Sequence, residues 1–301
     1  MTSARTVVLP APGHERLAAE LAAHLGAEPG SVETRRFPDA ERYIRIASDV
    51  DGASVIVAAS MRDPDPQLPG ILFIADAARE LGARRVGFAA PYLAYLRQDR
   101  RFHDGEAITS RTFATVLSRT FDWIATVDPH LHRYSSLGEV YSIPAVVAHA
   151  APDLARWIRV HVEEPIIIGP DSESAQWAEE VARGADAPVA VLEKRRQGDR
   201  EVEITAPRTE LGGRTPVLID DIISSAKTMA EAARVLARAG ARPPVCVGVH
   251  AVFADGAEEL LRAAGITRVA TCNTIFHPTN AIDVLATFAS SLQGLVAGQD
   301  K

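Results

Sequence analysis

Short apolar runs rich in Val, Ile, Leu and Ala recur at 6–9, 54–60, 85–92, 123–128, 165–170, 189–193, 216–223, 245–253 and 269–274. Each has the length and β-branched content of a buried strand. Between them, apolar residues return every three or four positions, which predicts helices over 15–25, 67–81, 111–121, 174–183, 228–239 and 257–264. Four of these segments stop at Gly26, Gly82, Gly240 and Gly265, where a left-handed terminating residue is expected. Strand, helix and strand in series predict an α/β fold with mostly parallel sheets covered on both faces.

A polar passage over 134–142 separates two such series of similar length and places the expected boundary near 142–144, giving domains 1–143 and 144–301. In each half one strand runs into acid at its carboxyl end, Val127-Asp128 in the first and Ile219-Asp220-Asp221 in the second. Ligands of open parallel sheets sit outside those ends. The pattern allows either a duplication or two unrelated α/β domains.

Composition narrows the function. A chain of 301 residues with 47% hydrophobic content buries a large core and suits two domains. Its net charge of -7 lacks the basic excess of a general nucleic-acid binder, so an anionic ligand must be held by local clusters. Cys246 and Cys272 both fall in apolar runs, where buried thiols are common, and a reducing, cytoplasmic compartment is expected. No run approaches the roughly 20 apolar residues of a membrane span, and the apolar part of 1–12 is too short for a signal peptide.

Five segments carry candidate chemistry. After the run 85–92 come Arg97, Gln98, Asp99, Arg100 and Arg101, followed by Gly105 to Thr109. Guanidinium groups suit phosphate because they offer several fixed donors and stay charged, although a solvated basic loop has the same composition. His130 follows Asp128 and Pro129 at another strand end, and could ligate a divalent metal or donate to phosphate. Asp171, after Gly169 and Pro170, could hold magnesium or cap the next helix. The run Glu193 to Arg200 is either a solvated hairpin tip or a loop whose Lys194 and Arg196 close over a transferred phosphoryl group. The most specific is Asp220, Asp221, Ile222, Ile223, Ser224, Ser225, Ala226, Lys227 and Thr228. Two adjacent carboxylates can accept from neighbouring sugar hydroxyls, while hydroxyls and N–H groups at the following helix start cradle a phosphate.

In this order and spacing, the segments resemble the ribose-phosphate diphosphokinase (PRPP synthetase) family from about Thr6 to Asp283. Arg36 to Glu41 resembles its Phe-Ser/Pro-Asp-Gly-Glu loop, with Ala40 in place of Gly, and Pro91 to Thr109 its arginine block, with Ala107 in place of Pro. Val127 to His130, Gly169 to Asp171, Lys194 to Arg196, Asp220 with Asp221, and Cys272 to Ile275 match further blocks. The resemblance implies two phosphoribosyltransferase-like domains and transfer of the diphosphate of magnesium-bound ATP to ribose 5-phosphate. It implies that Arg97, Gln98 and Asp99 hold the nucleotide, with Phe37, Asp39 and Glu41 reaching in from a neighbouring subunit of a homo-oligomer. His130 and Asp171 would lie at metal and triphosphate, and Lys194 and Arg196 at the transferred group. Asp220, Asp221 and Ser224, Ser225, Ala226, Lys227 and Thr228 would bind the sugar phosphate. Lys227 stands where the family has Gly, and Ser172 to Ala175 replaces a Gly-containing turn, so another sugar phosphate, a phosphoribosyltransferase activity or a silent regulatory homologue also remains open.

Overall fold

A computed structural model describes residues 5–131, 133–170, 174–197, 201–205, 211 and 213–297. The chain forms two compact units, Met1–His149 with Leu285–Lys301, and Ala150–Val284.

The first unit contains β1 (Thr6–Pro10), α1 (Glu15–Leu25), β2 (Glu28–Pro29), β3 (Val32–Arg36), β4 (Arg42–Ile46), β5 (Ser54–Ala58), α2 (Leu68–Glu80), β6 (Arg85–Ala89), α3 (Thr109–Thr120), β7 (Trp123–Val127) and β8 (Ala145–Ala148). Its sheet has the order β2-β1-β5-β6-β7-β8, with every neighbouring pair parallel. Helices on both faces explain why β5 and β7 are buried at every position. Gly87 of β6 lies opposite Trp123 of β7, and a Cβ on that glycine would meet the indole Cε2 at 1.9 Å. The absent side chain is the space in which the indole packs. β3 and β4 form a separate antiparallel ribbon.

The second unit contains α4 (Ala151–His161), β9 (Pro165–Gly169), α5 (Ala175–Ala185), β10 (Val189–Val191), β11 (Glu193–Gln197), β12 (Glu201–Thr205), β13 (Thr215–Ile223), α6 (Lys227–Arg238), β14 (Val245–Ala251), α7 (Ala257–Ala263), β15 (Arg268–Cys272) and β16 (Asn280–Ile282). Its sheet runs β10-β9-β13-β14-β15-β16, again all parallel, while β11 and β12 pair as an antiparallel ribbon. Each unit therefore repeats one plan: two strands run outward on one side, a ribbon follows, and four strands run outward on the other.

The division differs from 143/144 in two respects. β8 completes the first sheet, which extends the first unit through His149. The helix α8 (Leu285–Val296) also belongs to that unit: it packs on α1, β7 and β8 with Phe288, Leu292 and Leu295 buried, and the Leu295 carbonyl accepts from Arg85 Nη1 at 3.2 Å. Both cysteines are free and buried. No helix among the described residues is long and apolar enough to cross a membrane.

Candidate functional site

In the second unit the strand order reverses between β9 and β13, and the crevice of an open parallel sheet forms outside the carboxyl ends of such a pair. Asp220 and Asp221 lie near the end of β13, both half-buried, and Asp220 Oδ1 accepts the Asp221 N–H at 3.0 Å. Ser224 is half-buried and Ser225 exposed. Ala226 then turns the chain through a left-handed conformation, φ 59, and α6 starts at Lys227. Ala226 has no side chain able to cap the helix, and its first turn holds Lys227 and no acid, so its N–H groups and dipole favour an anion. Lys227 is exposed and helical. The left-handed residue is its neighbour, so lysine in place of glycine puts no strain on the backbone there.

The neighbouring strand holds this loop. Beyond β14, the N–H groups of Phe253 and Ala254 donate to the carbonyls of Ile223 and Ser224. Phe253 itself has φ 26, and its ring stacks on His277 with centroids 4.5 Å apart. Next to it, buried His250 Nδ1 lies 2.9 Å from Thr274 Oγ1, which donates to the Val249 carbonyl. None of these supports stood out in the sequence. The Cys272-Asn273-Thr274-Ile275 block was its nearest signal.

The equivalent reversal in the first unit, between β1 and β5, carries no acidic pair. His14 Nε2 meets the Ser60 carbonyl there at 2.9 Å. The candidate nucleotide residues lie instead beyond β6 and β7. Arg97 is exposed and Gln98 half-buried, with its carbonyl accepting the Ser110 N–H. Asp99 faces inward: its side chain is 1% exposed and its Oδ1 accepts from Arg133 Nη1 at 2.7 Å. His130 is half-buried, two residues beyond Asp128, which takes a left-handed φ of 31 and lies 3.0 Å from His149 Nδ1.

At the tip of the β3–β4 ribbon, the Ala40 N–H donates to the Phe37 carbonyl and Asp39 Oδ1 accepts the Glu41 N–H. Ala40 is left-handed, φ 71, where the resembled family carries Gly, a conformation that costs an L-residue roughly 1–2 kcal/mol. The turn leaves Phe37, Asp39 and Glu41 exposed. Lys194 and Arg196 fall in β11, one strand of the β11–β12 ribbon, while Asp171 and the end of the basic run, 198–200, lie outside the described residues. Among the described residues no three His, Cys, Asp or Glu side chains gather into a metal cage. Magnesium needs no such cage, because it commonly takes one or two carboxylates and fills its shell with water and substrate phosphates.

Comparison with known proteins decides the family. A model described as the N-terminal domain of ribose phosphate pyrophosphokinase matches residues 6–120, and one for the phosphoribosyl transferase domain matches residues 136–285. The chain belongs to the ribose-phosphate pyrophosphokinase family. Relatives bearing that name include one from Methanopyrus kandleri, 36% identical over 93% of this chain and 96% of its own length. Another, from Methanothermobacter thermautotrophicus, is 33% identical over 93% of this chain and 97% of its own. In fold, the crystal structure of phosphoribosylpyrophosphate synthetase from Mycobacterium smegmatis superposes with a TM-score of 0.84 at 24% identity, covering 98% of this chain and 99% of that one. The expected α/β architecture of two phosphoribosyltransferase-type domains holds.

Proposed function

We propose that this chain is a ribose-phosphate diphosphokinase that moves the β,γ-diphosphate of ATP to the C1 hydroxyl of ribose 5-phosphate, giving PRPP and AMP. The observation that carries this reading is the placement of Asp220, Asp221 and the uncapped start of α6 at the strand-order reversal of the second sheet. That arrangement fits a ligand with vicinal hydroxyls at one end and a phosphate at the other.

In this reading Asp220 and Asp221 accept from the ribose hydroxyls, and Ser224, Ser225, Ala226, Lys227 and Thr228 hold the 5-phosphate. The C1 oxygen attacks the β-phosphorus, the bond to the α-phosphate oxygen breaks, and AMP leaves. Lys194 and Arg196 neutralise charge on the transferred group, and Arg97, Gln98 and His130 hold the nucleotide. Magnesium, with Asp171 and His130 as its protein-side partners, supplies charge neutralisation along the triphosphate when bound. Phe37, Asp39 and Glu41, presented by an exposed turn, complete a neighbouring subunit's site, which makes the enzyme a homo-oligomer. The two free, buried thiols suit the reducing cytoplasm.

The test is a coupled assay of ATP and ribose 5-phosphate with magnesium. AMP and PRPP are expected in equal amounts; formation of ADP, or no sugar-dependent AMP, overturns the reading. Lys227, a cation where the family has Gly, favours one alternative, a different sugar phosphate. The same assay run with other pentose and hexose phosphates separates the two.

A further inference from the structure

Asp99 and Arg133 stand on loops that leave neighbouring strands, β6 and β7, at the carboxyl edge of the first sheet. Their side chains meet at 2.7 Å, with the carboxylate 1% and the guanidinium 42% exposed. The pair is lopsided. Asp99 Oδ2 is buried with no hydrogen-bond partner, an arrangement that folding alone disfavours, because an isolated buried carboxylate oxygen keeps its desolvation cost. The loops are tied again where Tyr134 donates to the Asp99 carbonyl at 3.3 Å. On its outer side Arg133 approaches the exposed ring of Phe102 at 5.7 Å, and Arg100 covers the same ring at 4.9 Å. One Arg133 edge is therefore anchored while the rest of a planar, permanently charged fork stays open, with Arg100 over the same ring and exposed Arg97 on the loop that carries Asp99, in a protein of net charge -7.

We propose that Arg133 binds the phosphate chain of the nucleotide, and that Asp99 is not a nucleotide ligand but the positioning residue that aims Arg133. The inference rests on the nucleotide reading of this loop. An arginine held in advance at one edge loses less side-chain freedom when an anion arrives, which is what a buried carboxylate contributes here.

Calorimetric titration of the full chain with a non-hydrolysable ATP analogue, and separately with adenosine, tests it. Arg133→Ala is expected to weaken the analogue about tenfold to hundredfold, the range for a charge-assisted hydrogen bond, and to move adenosine by less than about twofold. Arg133→Lys should recover part of the loss. Asp99→Asn should weaken the analogue in the parent and add nothing in the Arg133→Ala background, since it acts only through the arginine. Because Asp99→Asn could damage folding, the Arg133 variants stand by themselves, and thermal unfolding midpoints control for both. Equal analogue affinity in parent and Arg133→Ala overturns the proposal, as does an Asp99→Asn effect that persists without Arg133. A parent that turns over ATP yet loses nothing on Arg133→Ala refutes the arginine's role while leaving the enzyme reading intact. A parent that binds no analogue defeats both.

Discussion

The N–H of Ala254 donates to the carbonyl of Ser224 at 3.1 Å, so the strand beside the acid pair holds the loop that follows it. Phe253, one residue earlier, keeps an unfavourable φ of 26 while its ring stacks on His277. Aromatic pairs of this kind contribute about 0.5–1.5 kcal/mol. His277→Ala is expected to raise the KM for ribose 5-phosphate by about two- to tenfold, with the KM for ATP unchanged, in steady-state kinetics. A matched rise in both would show general damage rather than loss of loop support.

Asp220→Asn and Asp221→Asn should each weaken the sugar phosphate selectively, because a neutral amide accepts from two hydroxyls less well than a carboxylate. Titration with ribose 5-phosphate should show a loss on the order of tenfold or more. Affinity for a non-hydrolysable ATP analogue should stay within about twofold of the parent. Equal losses for both ligands would refute a sugar-specific role.

Lys227 is the first helical residue of α6, and the left-handed turn falls on Ala226, so restoring glycine at 227 relieves no backbone strain. What is lost is a cation at a helix start. Lys227→Gly is therefore expected to weaken ribose 5-phosphate by about 1.5–3 kcal/mol if the ammonium reaches the phosphate directly. Isothermal titration reads the sign: tighter binding in the variant would mean that the lysine crowds the site.

Gly87→Ala should destabilise the first unit, because the new methyl would fall within the space of the Trp123 indole. Overpacking of this sort typically costs 1–3 kcal/mol, roughly, and more when backbone strands must separate. Urea unfolding should show a lower midpoint at unchanged slope, and a midpoint equal to the parent's would mean the strands relax freely.

The central strands were legible because a parallel strand covered on both faces must be a continuous apolar run, as Ser54–Ala58 and Trp123–Val127 are. The β3–β4 ribbon escaped because Glu33, Thr34, Arg35 and Arg36 are exposed and give no such run. Likewise α4 is absent from the expected helices; Pro152 stands in its first turn, where proline is well tolerated. β11 emerged where the basic run around Lys194 left hairpin tip and closing loop as alternatives. Of the candidate site, the order from Asp220 to Thr228 could be read directly, since strand, acidic pair, small-residue loop and helix start are contiguous in sequence. Arg133 could not, because its link to Asp99 spans two loops brought together only when β6 and β7 pair. The same holds for Phe253 and His277, whose stacking depends on where β15 and its following loop return.

Because α8 packs on α1, β7 and β8, the second unit is in sequence an insertion between β8 and the helix that completes the first. A chain emerging from the ribosome can therefore close its second unit while the first still exposes the apolar surface that Phe288, Leu292 and Leu295 will cover. The order of synthesis and the order of completion are reversed. A stop within 285–296 leaves Asp220 to Thr228 intact yet strips cover from the unit made first, so truncation there threatens solubility through the N-terminal half.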